Sequence, residues 1–165
     1  MAKFVRTFDD TGKANGYLIE LIKDGHKTVS YLTAIYQRCK KGYHLHQRRE
    51  SNYMCVAGSV DVVWFEKSKV LDTSSESGIS KFLAHKSDHF SVVKCSAILW
   101  PGFELKIKTY CPVALFNNTD AIAELVNMPE PPYDPKDKEE QLEFTNNECM
   151  DGMFPGWEGD TTHEM

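Results

Sequence analysis

The stretch from 40 to 58, KKGYHLHQRRESNYMCVAG, gathers the side chains best able to do chemistry. His44 and His46 stand two apart, so on an extended strand both imidazoles face the same way. Glu50 follows after Gln47, Arg48 and Arg49, near enough to join the pair across a bend. Two imidazoles and a carboxylate make a partial shell for divalent iron, manganese or zinc, with His44, His46 and Glu50 as ligands. Without a metal the same pair supplies a general base, because imidazole titrates near neutral pH. A third reading leaves both rings on an exposed strand face, and a short motif alone does not choose among the three. Arg38, Lys40, Lys41, Arg48 and Arg49 flank the histidines. Such cations hold a diphosphate, or simply protect a strand edge by charge.

Those residues need a β framework, and period-two alternation provides one. HKTVSYLTAIYQ puts Val29, Tyr31, Thr33 and Ile35 on one face. YMCVAGSVDVVWFE reads as two short strands parted at Gly58, or one strand bent there. KCSAILW runs into Pro101-Gly102, a turn signal, and ELKIKTY alternates again. VALF and AIAELV, joined by the polar turn Asn117-Asn118-Thr119-Asp120, read as a hairpin. The pattern predicts an all-β domain of many short strands, a sandwich or barrel. Residues 67–90 are rich in Ser, Lys and Asp and read as a long loop with one short element. Residues 129–140 carry four prolines, so no regular strand continues there. Beyond Gln141 periodicity fades, although Phe144, Met153, Phe154 and Trp157 are suited to pack back on the body.

The 165 residues suffice for one domain whose core hides about two-thirds of the unfolded surface. Hydrophobic residues at 41% and charged residues at 26% exclude wholesale disorder and a fibrous repeat. No apolar run reaches the ~18–20 residues of a membrane span, and the first residues lack a secretory signal's apolar stretch. Five scattered cysteines without a CxxC pair read as the reduced thiols of a cytoplasmic protein. Charge is uneven: residues 120–165 hold 13 acidic and 2 basic residues, net −11, while residues 1–119 are net +6. A basic body suits a phosphorylated ligand and an acidic tail repels nucleic acid; plain solvated surface explains the same numbers. Cys55 reads as a core residue, His85 and His89 as exposed, Trp100 and Phe103 as packing at a barrel end. No phosphate-cradling glycine loop, zinc finger or basic-aromatic RNA-binding pattern is present.

Gly42-Tyr43-His44-Leu45-His46, followed by Glu50 and Gly58, resembles the first sequence motif of the cupin superfamily, small β-barrels that use such residues inside the barrel. WPGFELKIKTY matches the turn of the second motif at Pro101 and Gly102 and carries no histidine. Within the cupins, the chain resembles proteins related to dTDP-4-dehydrorhamnose 3,5-epimerase. GYHLHQRRESNYMCVAGSVDVVWFE, AILWPG and ELVNMPEPPYDPKD carry the likeness. NGYLIEL, residues 15–21, is similar to the segment with which one epimerase subunit reaches its partner's nucleotide. The resemblance covers most of residues 15–137. It implies a cupin-like jelly-roll antiparallel β-barrel over residues 1–140, with 141–165 an acidic tail packed partly on it. It implies an isomerase or epimerase of a dTDP-linked 4-keto-6-deoxy sugar, a homodimer with no cofactor.

In that family a strand histidine removes the proton alpha to the C4 ketone, a cation stabilises the enolate, and a tyrosine returns a proton from the other face. His44 takes the base position and His46 is a second candidate. The family's lysine falls at Ser51 and its tyrosine at Phe116, leaving Arg48 or Arg49 as the cation and Tyr53 as the acid. Arg38, Lys41, Arg48, Arg49 and Glu50 are the expected substrate-binding residues. The chain is also similar to sugar 3,4-ketoisomerases, which place an HxH on a cupin strand and move a carbonyl through an enediol. Two histidines on one face suit that proton shuttle. A divalent metal on His44, His46 and Glu50, and a barrel that binds a sugar without turnover, are the competing expectations.

Overall fold

Alternation in the sequence becomes alternation in burial: from Ser51 to Cys55 residues are buried and half-buried in turn. The computed structural model describes residues 4–23, 29–68, 78–87, 90–132, 134 and 136–154. His89, Tyr133 and Trp157 lie outside the described residues, as do the side chains of Val29 and Tyr31. The strands are β1 (Phe4–Phe8), β2 (Ala14–Lys23), β3 (Val29–Ile35), β4 (Lys40–His46), β5 (Ser51–Ala57) and β6 (Val60–Ser68). They continue with β7 (Ile79–Lys86), β8 (Ser91–Leu99), β9 (Glu104–Ile107), β10 (Val113–Phe116), β11 (Ala123–Asn127) and β12 (Gln141–Glu143), before the short helix α1 (Asn146–Met150). Among the described residues of the segment 67–90 are the end of β6 and one eight-residue strand, β7.

Two six-stranded antiparallel sheets result, in the orders β1-β2-β3-β11-β5-β9 and β12-β4-β10-β6-β8-β7. They close on one core, to which the first sheet gives Ile35, Tyr53, Cys55, Ile107 and Leu125, and the second Val62, Trp64, Cys95, Val113 and Leu115. A second apolar cluster covers the other face of the second sheet, where Tyr43, Leu45, Phe65 and Ala114 meet Cys149 and Phe154. This explains why VVWF, residues 62–65, and VALF are continuous apolar runs: both of their faces are covered. Thr145 and Glu148 form a reciprocal capping box that starts α1 over that face. No helix among the described residues is long and apolar enough to cross a membrane.

VALF and AIAELV do not form the expected hairpin. β10 lies between β4 and β6, whereas β11 lies between β3 and β5 in the other sheet. Asn117 makes the crossing. Its backbone N–H donates to the Cys39 carbonyl, and its Nδ2 donates to the carbonyls of Ile35 (3.0 Å) and Ala121 (2.7 Å). A fully buried amide satisfied in this way fixes the chain's switch between sheets.

Candidate functional site

His44 sits opposite Val113 of β10, a residue of the inter-sheet core, so its ring shares the inward face of the second sheet. His46, two residues on, faces the same way. Lys41 should face outward by strict alternation, yet it pairs with Leu115, another core residue. The register shifts between Val113 and Leu115, so β4 carries one extra residue there, a bulge at Gly42. Gly42 has φ +99°, and a Cβ on it would meet the Val113 carbonyl oxygen at 2.4 Å. Only glycine fits that place without strain. The bulge therefore brings Lys41, His44 and His46 onto one inner wall.

Arg49, in the connection from β4 to β5, ties this wall to β12. Its Nε and Nη2 each lie 3.2 Å from His46 Nδ1, and Nη2 donates to Gln141 Oε1 at 3.0 Å. Gln141 Nε2 in turn lies 3.3 Å from His44 Nδ1. Glu140 holds Arg49 at 3.0 Å and stands 3.5 Å from His46 Nδ1. Both partners of the Arg49–Glu140 pair are nearly sealed from water, so each neutralises a charge the other could not bear alone. Glu143, exposed on β12, is 3.6 Å from His44 Nδ1. The Nζ of Lys41 runs past Gly16 and donates to the Tyr17 carbonyl at 3.3 Å.

These surroundings set the charge states. Burial, and then the positive fields of His46, Lys41 and Arg49, push His44 down to about 4, although 35% of its side chain meets solvent. Burial also lowers His46, against the pull of Glu140. Both imidazoles are neutral at pH 7. Burial lowers Lys41 to about 8. Burial alone would raise Glu140, but His46 and Arg49 outweigh it and keep the carboxyl below its usual range.

Tyr53 is buried on the inward face of β5, beside Ser51 and in the field of Arg49, and burial raises its hydroxyl above the ordinary value. Asn127, opposite Tyr53 in register, has a buried Oδ1 with no hydrogen-bond partner among the described residues. Three expected residues are not brought to this wall. Arg38 is exposed and paired with Asp120 at 3.0 Å. Arg48 is exposed and paired with Asp137. Glu50 pairs with Lys106 at 2.5 Å. Glu50 and Lys106 border a groove of about 580 Å³ with Asn52 and residues 128–132.

The metal set of His44, His46 and Glu50 is therefore not assembled. The connection after His46 turns toward the other sheet and carries Glu50 to Lys106. No three His, Cys, Asp or Glu side chains among the described residues are placed to hold a metal ion. The arrangement instead suits binding and proton chemistry by two neutral imidazoles. Glu140 and Gln141 are site residues that strand reading missed. The signal for Gln141 was the alternation Gln141, Leu142, Glu143, Phe144, in which Leu142 and Phe144 join the outer apolar cluster and Gln141 and Glu143 pair with β4's histidines; Glu140 had none.

With its two antiparallel sheets closed on one core, the chain is a cupin-fold protein, as solved cupin structures show. Solved structures agree in fold at low identity. The capsular polysaccharide assembling protein CapF from Staphylococcus aureus superposes with TM-score 0.55 and 14% identity over 86% of this chain and 34% of its own. A cupin-2 domain protein from Rhodospirillum rubrum does so with TM-score 0.57 and 9% identity, over 88% of this chain and 77% of its own. Oxalate decarboxylase from Lactobacillus farciminis gives TM-score 0.52 and 10% identity, over 79% of this chain and 31% of its own. The chain thus spans about a third of CapF. No protein-family model and no curated protein matches its sequence.

Proposed function

We propose that the chain is a metal-independent isomerase or epimerase of a nucleotide-linked 4-keto-6-deoxy sugar, with a dTDP-sugar the expected substrate class. The observation that carries this reading is the pair of neutral imidazoles on one inner wall, with Lys41 and Arg49 buried beside them. A proton on the carbon next to a ketone leaves as its electron pair moves onto the ketone oxygen, and the resulting enolate needs positive charge and N–H donors. The proton then returns to the other face of that carbon, or to the neighbouring carbon. Tyr53, kept protonated by burial, is a donor for the return step. Lys41, lowered to about 8 by burial, is in its neutral amine form the candidate base that takes the proton, and Arg49 supplies the buried positive charge. CapF, which shares the fold, is a capsular polysaccharide assembling protein, and that setting accords with sugar chemistry.

Proton NMR of dTDP-4-keto sugars in heavy water tests this. Wild type should exchange the proton next to the keto group. His44→Asn should exchange about 10²–10⁴-fold more slowly while keeping dTDP affinity. If wild type exchanges no proton on any candidate sugar, the enzyme reading fails. A binding barrel without turnover then takes its place, a reading favoured by the low basicity of His44.

A further inference from the structure

We infer that Arg49, directly and through Gln141, holds both histidines with the proton on Nε2, so that the pair presents two N–H donors to an anionic or carbonyl oxygen. The guanidinium of Arg49 donates and never accepts. Two of its nitrogens lie 3.2 Å from His46 Nδ1, so that ring nitrogen carries a lone pair and the proton sits on Nε2. The Arg49 Nη2 contact at 3.0 Å also orients the Gln141 amide, since only Oε1 can face a donor. That leaves the Gln141 NH₂ turned to His44 Nδ1 at 3.3 Å, which makes His44 an acceptor there as well. Both tautomers are assigned from the hydrogen-bond network in this way.

The competing acceptors are farther off. Glu143 stands 3.6 Å from His44 Nδ1, and Glu140 stands 3.5 Å from His46 Nδ1 while it is engaged by Arg49 at 3.0 Å. Neither Nε2 has a hydrogen-bond partner among the described residues, so both N–H groups are available to a ligand. Lys41 lies on the same wall, and its one hydrogen bond among the described residues is to a backbone carbonyl. A neutral imidazole N–H is an effective polarising group for a carbonyl oxygen. A lone pair for a metal ion, by contrast, is what this tautomer withholds.

The identity of the oxygen rests on the proposed function: in a keto sugar it is the ketone oxygen as it becomes an enolate, and a carboxylate would be held by the same donors. The pair then acts at oxygen, and the carbon-bound proton falls to another group. Lys41, an amine on that wall with no carboxylate partner among the described residues, is the one placed to take it.

Long-range ¹H–¹⁵N NMR of the substrate-free protein at pH 7 reads the tautomers, and both rings should show protonated Nε2 and unprotonated Nδ1. Gln141→Glu replaces a donor to His44 by an acceptor. Gln141 is exposed, so this variant should fold, and His44 should switch to the Nδ1–H form while His46 stays unchanged. A wild type with either ring protonated at Nδ1, or a Gln141→Glu protein with an unaltered His44, overturns the assignment. Malonate, used as the anionic-oxygen probe, should shift both Nε2–H resonances of wild type. No shift at either ring overturns the oxygen site. Neither readout needs a sugar, so failure of this inference and failure of the keto-sugar reading are separately visible.

Discussion

At His44 a few neighbouring charges decide how the protein answers to acid. The unfolded imidazole takes its proton near pH 6.5, whereas the folded ring resists it down to about 4. The His44 contribution should be flat above pH 7, and stability should fall as pH drops from 6.5 toward 4, because the unfolded state binds the proton first. Glu140, depressed in the folded state, adds to the loss once pH passes below its unfolded value near 4.5. Urea midpoints measured between pH 4 and 8 should show the slope, and His44→Gln should reduce it above pH 4.5. Arg49 gives a second prediction. Arg49→Met strands a buried Glu140 and should cost about 3–5 kcal/mol by urea denaturation, much of it recovered when Glu140→Met is added. A third concerns Lys41: Lys41→Met should slow solvent-deuterium exchange in the keto sugar at least about 10²-fold and leave the histidine tautomers as they are. The inward pair was legible at this scale, because His44 and His46 sit a strand period apart. Glu50 was misread, since sequence proximity does not say which sheet a turning connection will deliver a side chain to.

Among the elements, β4 shows how one residue of register makes a site. The bulge at Gly42 brings Lys41 to the face of the histidines, and no period-two reading of KKGYHLH could place it there. Gly42→Ala would press a methyl group against the Val113 carbonyl at a backbone angle that suits glycine. It should lower stability by about 1–3 kcal/mol, seen as a lower Tm. Strands β5, β6 and β8 were legible because half of each sits on the core and the alternation survives in the sequence. The β10–β11 hairpin was not, because adjacency in sequence with a polar turn looks the same whether the chain turns back or crosses over. A buried Asn117 bonded to Ile35, 82 positions earlier, decides it, and that partner is invisible in a window of ten residues. β12 escaped notice for the opposite reason: three residues are too few to show a period.

For the molecule as a whole, the second sheet is apolar on both faces and is incomplete without residues 141–154. Phe154 is almost fully buried against the outer cluster, at right angles to Phe144 and 5.3 Å from it. Phe154→Ala should therefore cost about 3–5 kcal/mol by chemical denaturation. The same span of chain that covers this face also delivers Gln141 to His44, 97 positions after it in sequence. Synthesis runs from the first residue to the last at about 5–20 residues per second, so the histidine strand waits about 5–20 seconds on the ribosome for its last neighbour. During that interval the outer edge of β4 has its backbone groups open to other chains, the situation in which strands pair with the wrong partner. Protein synthesis rate, and whatever shields nascent chains, thus bear on this site before any ligand does.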